Sequence, residues 1–250
     1  MSRVYLALVL MVFWLPTISK ADEQKVVTVA AASSLRPALE EIKLKFESTH
    51  SLTVMRTTYG ASGTLATQIL NGAPYDLFLS ADTEYPAKIA ERLNRKTFLY
   101  AKGRLVFVVG KAFQKEESLP KLSVVKESRV KKIALANPEH APYGALAVDV
   151  LKKASLYDAI KEKIVYGENV GQVAHFFQTE VVDVGFLPLS LVITGPLKEK
   201  VRFLLLPGET AVIPHSGVTL NDKNTTEWVK AYLLSSDALG IFGKHGYEVP

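Results

Sequence analysis

Ser34 and Ser62 are the residues whose type and placement most invite chemistry. Each stands in a short polar turn, Ala32-Ser33-Ser34-Leu35 and Gly60-Ala61-Ser62-Gly63-Thr64, between a strand-like run and a helical pattern. Two comparable turns, Pro142-Tyr143-Gly144 and Glu168-Asn169-Val170-Gly171, lie further along the chain. The first amides of a helix lack an acceptor within it and sit at the positive end of its dipole. Helix starts that converge therefore form an anion site without any side-chain cation. In open α/β sheets such starts gather in the crevice beyond the carboxyl ends of the strands. Hydroxyls of Ser34 and Ser62 would add donors, and an oxyanion with four equivalent oxygens could accept from all of them. The plainer alternative is that each serine only caps its helix.

Patterns for covalent or metal chemistry fail at identifiable positions. The segment Gly60-Ala61-Ser62-Gly63-Thr64 misses the hydrolase nucleophile elbow, which needs glycine where Thr64 stands. The five histidines, His50, His140, His175, His215 and His245, show no metal-ligand spacing and no local triad. The stretch from Gly103 to Lys111 ends in Gly-Lys-Ala, lacks the hydroxyl residue of a phosphate loop, and falls on an expected strand. No enzymatic activity is expected.

The elements that must position the turns follow from hydrophobic periodicity. Apolar, β-branched runs at 26–32, 52–58, 75–81, 105–110, 132–136, 182–187, 201–206 and 211–220 read as strands. Helical patterns alternate with them, so the expected class is α/β with largely parallel sheets. Leu35, Ala38, Leu39, Ile42 and Phe46 share one helical face. A second helix over 63–70 should end at Asn71-Gly72, and a third should start at Asp82. The pattern restarts around Ala101-Lys102-Gly103 and again near Pro207-Gly208, which we read as crossings between two lobes. The expected limits are 22–103 with 212–250 for the first lobe and 104–211 for the second. A C-terminal helix from Thr225 should anchor to the first lobe through Trp228, Tyr232 and Leu233.

The N-terminus reads as a secretory signal over 1–21. Arg3 gives its positive region, 4–15 its apolar stretch, and Ser19-Lys20-Ala21 its small-x-small cleavage site before Asp22. The apolar run is shorter than the roughly 20 residues that a spanning helix needs. Without cysteine there is no disulfide framework and no lipidated N-terminal anchor. Removing 1–21 takes Arg3 and Lys20 from the 30 basic residues and none of the 25 acidic ones, leaving a balance of +3. That mild excess suits an anion, and no basic stripe interleaved with aromatics suggests nucleic acid. A periplasmic location is expected.

Several segments together resemble the periplasmic molybdate-binding proteins. They are Val27-Thr28-Val29-Ala30-Ala31-Ala32-Ser33-Ser34-Leu35, Ala61-Ser62-Gly63-Thr64-Leu65 and Gly72-Ala73-Pro74-Tyr75-Asp76-Leu77-Phe78-Leu79-Ser80-Ala81-Asp82, followed by Asn137-Pro138-Glu139-His140-Ala141-Pro142-Tyr143-Gly144, Glu168-Asn169-Val170 and Val184-Gly185-Phe186-Leu187-Pro188-Leu189-Ser190. The order and spacing match the family over nearly the whole chain after the signal. The resemblance implies a type II periplasmic-binding-protein fold: α/β, two lobes of mixed sheet flanked by helices, with hinge strands between them. It implies molybdate or tungstate as ligand in the interlobe cleft, no cofactor, molybdenum held only as its oxyanion, and delivery to the membrane permease of an ABC importer by a monomer. Carried over by position, it puts hydroxyl and amide donors at Ser34 and Ser62 and amide donors at Tyr143 and Val170. Ser33, Gly63, Asn169 and Pro188 are candidates for additional lining. Pro188 departs from members that offer a tyrosine hydroxyl there, since it has neither hydroxyl nor amide hydrogen. The Tyr143 hydroxyl either points into the cleft or packs away with only its amide used. Carboxylates beside a dianion would repel it, so Asp76 and Asp82 are assigned to capping and interlobe hydrogen bonding. The competing readings are a relative tuned to another oxyanion such as sulfate, a secreted hydrolase, and an extracytoplasmic adhesin.

Overall fold

Strand β1 (Lys25–Ala32) is buried along its second half and lies between β2 (Thr53–Gly60) and β3 (Leu77–Leu79), parallel to both. Valines and alanines at this position fit a strand covered on both faces, where a continuous apolar run replaces alternation. A single 3-10 turn (Ser33–Leu35) leads from β1 into helix α1 (Arg36–Thr49), which buries Ala38, Leu39, Ile42 and Phe46 on the predicted face. Helix α2 (Ser62–Leu70) follows β2 and ends at Asn71. Gly72 takes φ +90° there, a conformation that glycine adopts without a Cβ penalty. Helix α3 (Glu84–Leu93) follows β3 and leads into β4 (Thr97–Val109). The structure is a computed structural model that describes residues 24–249; the expected signal over 1–21 lies outside the described residues.

The same plan is then repeated. Strand β5 (Ile133–Ala136) leads into α4 (Pro142–Lys153) and the short α5 (Tyr157–Ile160), then β6 (Ile164–Gly167), α6 (Val170–Gln178), β7 (Val184–Pro188), α7 (Leu189–Val192) and β8 (Arg202–Leu205). Strand β5 is parallel to β6 and to β7, as β1 is to β2 and β3. The chain returns through β9 (Val212–Thr219) and finishes in α8 (Asn224–Leu233) and α9 (Ser236–Lys244). The two halves have the same strand order, β2-β1-β3-β9-β4 and β6-β5-β7-β4-β8. In each half the fourth strand is antiparallel and has crossed over from the other half.

Strand β4 makes the junction. Thr97 to Arg104 pair with β9, and Leu105 to Val109 pair with β7, with β8 along the other edge from Val106. The expected strand at 105–110 is therefore only the second half of a longer one. Its first half carries exposed Thr97, Leu99 and Lys102 among buried residues, which hides it from a search for apolar runs. Strand β6 escapes for a related reason: three of its four residues are only partly buried or exposed. The single C-terminal helix expected from Thr225 is two helices, broken where Ser235 accepts the amide of Ala238 at 3.4 Å. Leu233 and Tyr232 do pack on the first half, Tyr232 lying 5.4 Å from the Phe46 ring. Trp228 stays 45% exposed but also meets the first half, its ring 6.4 Å from that of His50 and 5.8 Å from the Lys25 ammonium. Among the described residues no helix is long and apolar enough to cross a membrane.

Asp76 holds the first half together from inside. Its buried carboxylate accepts from the Thr28 amide at 2.7 Å, the Thr28 hydroxyl at 2.8 Å, Asn221 Nδ2 at 2.6 Å and Lys223 Nζ at 2.8 Å. It thus clamps β1, β3 and the loop before α8, and neither caps a helix nor bridges the halves. Burial raises its pKa, but the bonds from Lys223, Thr28 and Asn221 outweigh burial and leave it below the ordinary carboxylate value. A carboxylate depressed in the folded state stabilises at pH above its unfolded pKa and loses that contribution as pH falls through the folded one. Asp76→Ala should therefore lower the unfolding free energy by about 2–3 kcal/mol at pH 7, and the gap to the parent should narrow in acid. Urea unfolding at pH 7 and at pH 3 checks both statements.

Candidate functional site

The repeated plan puts four helix starts at equivalent places: after β1 and β2 in one half, and after β5 and β6 in the other. Between them lies a small cavity of about 10 Å³, lined by Ala32, Ser33, Ser34, Gly60, Ala61, Ser62, Ala81, Ala141, Pro142, Tyr143, Asn169 and Val170. The four residues singled out as principal donors, Ser34, Ser62, Tyr143 and Val170, thus surround one space. None of the lining residues carries a charge, so any anion held there is held by dipoles.

Local sequence explains how donors are left free. Neither serine makes a side-chain cap: the cap positions are Ala32 and Ala61, which removes the plainer alternative for Ser34 and Ser62. Among the described residues the Ser34 hydroxyl is buried without a partner, as is that of Ser33. Ser62 Oγ accepts the Ala81 amide at 3.1 Å, which leaves its own proton free to donate. Pro142 occupies the first turn of α4, where a missing amide hydrogen is tolerated, and Tyr143 follows as the first residue of that helix with an N–H. In α6, Asn169 caps the amides of Gly171 and Gln172 with one oxygen, at 2.9 and 3.2 Å. Val170, before them, keeps an amide with no acceptor inside its helix.

Two candidates for additional lining do not face the cavity. The Gly63 amide is engaged by the His140 carbonyl at 2.8 Å across the halves, so a real hydrogen bond replaces the contact expected of it. Pro188 ends β7 in register with Leu105 and is buried within the sheet. Asp82 also lies outside the lining. Burial raises its pKa against the opposing bonds from the Ser80 hydroxyl and the Tyr85 amide; the latter bond, at 3.2 Å, reaches the first turn of α3 from one residue before its cap position, Thr83.

Residues 27–248 match the family of bacterial extracellular solute-binding proteins. The chain belongs to that family. Molybdate-binding protein ModA of Rhodobacter capsulatus is 32% identical over 231 residues, covering 89% of this chain and 88% of the relative. ModA of Azotobacter vinelandii is 31% identical over 237 residues, covering 88% and 89%. The solved periplasmic molybdate-binding protein of Azotobacter vinelandii superposes with a TM-score of 0.80 at 27% identity, over 90% of this chain and 99% of that one. The expected two-lobed periplasmic-binding-protein fold is the one observed.

This solute-binding protein has walls that sequence reading missed. Ala61, Ala81 and Ala141 bring backbone close to the cavity because their side chains end at Cβ; all three sit inside the motif segments but have no polar side chain to mark them. Gly144, beside Tyr143, has no room for a side chain, since a Cβ would overlap the Ala136 carbonyl. The Tyr143 ring turns behind the cavity: its hydroxyl fills the space a Gly103 side chain would need, without a hydrogen-bond partner, and its ring meets His215 edge-on at 5.8 Å. Only the amide of Tyr143 is therefore placed to serve the cavity.

His215, on β9, is enclosed by Tyr100, Tyr143 and Tyr247. Burial pushes its pKa down to about 4, against a weaker opposite pull from its bond to the Ile213 carbonyl. The unfolded chain takes up this proton first as pH falls, so the folded form loses stability between the ordinary imidazole value and about 4. From pH 7 to pH 4 the parent should lose roughly 2–3 kcal/mol relative to a His215→Gln variant, as measured by urea unfolding of both at each pH.

Proposed function

We propose that this chain is the periplasmic component of an ABC importer and that it binds molybdate or tungstate between its lobes. One observation carries the reading: a small space lined only by uncharged residues, at which four helix starts from both halves meet. The relatives named for molybdate binding, at 31% and 32% identity over most of the chain, support it independently. Ser34 and Ser62 act through hydroxyl and amide, Tyr143 and Val170 through their amides. Ser33 offers a further hydroxyl, and Asn169 contributes by holding the start of α6. The lobes run over 22–103 with 212–250 and over 104–211, a division supported by the change of β4 partner between Arg104 and Leu105. After removal of a signal near Ala21-Asp22 the protein works as a monomer that closes on its ligand, a hinge motion common among such proteins, and presents the closed form to the permease.

Selectivity follows from the donors. Molybdate, tungstate and sulfate are fully deprotonated at neutral pH, whereas phosphate largely keeps a proton that needs an acceptor. A cavity of donors alone leaves that proton unpaired, at a cost of about 1–3 kcal/mol. Sulfate carries the same charge as molybdate, so it is rejected by size: its shorter bonds leave some oxygens beyond reach of fixed donors. In competition calorimetry molybdate and tungstate should displace sulfate and phosphate; preference for sulfate would overturn the assignment of ligand. Ser34→Ala and Ser62→Ala should each weaken molybdate binding by about 1–3 kcal/mol, and unchanged affinities in the same titrations would remove both from the site.

A further inference from the structure

The carbonyl of Ser34 is gripped by two hydroxyls from distant parts of the chain. Tyr247 Oη donates to it at 2.8 Å and Ser190 Oγ at 2.9 Å, with 3.1 Å between the two hydroxyl oxygens. All three residues are buried. A carbonyl oxygen has two lone pairs, and here both are occupied. Neither Tyr247 nor Ser190 lines the cavity, so the oxygen they hold is directed away from it. That direction matters, because a carbonyl facing an anion would oppose it, and the two bonds fix the peptide plane that leads from Ser34 into Leu35.

Tyr247 is itself fixed by the crossing strands. The residue after Tyr247 forms a short antiparallel pair with β4, its amide donating to the Lys102 carbonyl at 2.9 Å and its carbonyl accepting from the Lys102 amide at 2.7 Å. The Tyr247 ring meets His215 of β9 edge-on at 5.5 Å and Phe242 at 5.6 Å. Ser190 lies at the start of α7, directly after β7, and bonds across the halves to Ser34.

We infer that Tyr247 and Ser190 are positioning residues of the anion site: by fixing the peptide plane that follows Ser34 they hold its Cα in place and keep its hydroxyl aimed inward. This rests on the reading of Ser34 as a donor. It makes the C-terminal segment, which touches no ligand, part of the binding machinery.

The test is a double-mutant cycle on the full chain after its signal, read by calorimetric titration with molybdate and by the melting temperature without ligand. Tyr247→Phe keeps the ring and removes only the hydroxyl; it should raise Kd about tenfold, the lower end of what loss of an outer partner costs at a metal site. In a Ser34→Ala background the same change should raise Kd by about threefold or less, because residues acting through one another are not additive. Ser190→Ala, a smaller change, should show the same dependence on Ser34 and carries the test if Tyr247→Phe does not fold. Equal factors in both backgrounds, or an unchanged Kd beside a lowered melting temperature, would show a structural role only and overturn the inference. A Ser34→Ala protein that binds molybdate as tightly as the parent removes Ser34 from the site and the inference with it. A parent that binds no molybdate refutes the proposed ligand instead.

Discussion

An anion can leave water for a protein interior only if the groups that replace its hydration shell are already aimed at it, and the proposed site offers such groups without a charged side chain in its lining. Amides at helix starts cannot find acceptors within their own helices, so they are available by the geometry of the helix. They are also held by it, which removes the reorganisation that flexible lysines or arginines would need. The consequence runs outward through the structure. Alanine and glycine line the space because backbone must come close, and Asn169 caps two amides of α6 while leaving the first one free.

Bringing four helix starts to one point is a topological problem, and the doubled strand order solves it. Within either half, a helix that follows the central strand and one that follows its neighbour begin at the same sheet edge. Two such halves facing each other supply donors from opposite sides. Strand β4 belongs to both sheets, and β9 returns beside it, so the halves are joined by paired backbone. Direct bonds also cross between them: the Gly63 amide to the His140 carbonyl, and the Tyr85 hydroxyl to the Glu139 carbonyl at 3.4 Å. These bonds use groups just outside the cavity and leave its own donors free.

Most of this was legible where a pattern has a physical cause confined to neighbouring residues. The face of α1 follows from spacing, the end of α2 from Asn71-Gly72, and the strands at 26–32 and 132–136 from continuous apolar runs. The helix starts at Ser34, Ser62, Tyr143 and Val170 were legible as turns, and their meeting around one space needed the topology. What escaped depends on distant partners. The first half of β4 and all of β6 are strands because neighbouring strands supply their hydrogen bonds, and their mixed exposure carries no period. Trp228 meets His50 and Lys25 at the margin of its helix, and Val229 and Leu233 take the buried face. Pro188 and Gly63 stood in the right motifs, but one is taken up by sheet pairing and the other by a carbonyl from the opposite half.

The space behind the cavity shows why the hinge and the site cannot be treated as separate parts. Tyr143 presents its amide to the cavity, while its ring passes between Gly103 on β4 and His215 on β9. A side chain at 103 would overlap the Tyr143 hydroxyl, so the glycine admits the ring. His215 in turn packs against Tyr143 on one side and Tyr247 on the other, and the Tyr247 hydroxyl reaches the carbonyl of Ser34. A continuous buried path therefore links a donor residue of one half to a donor residue of the other through both crossing strands. In the proposed hinge motion Tyr143 would move against that pair of strands, so the contacts that place its amide would also resist opening, and a close-packed interior of this kind passes between distinct arrangements more readily than it deforms by degrees.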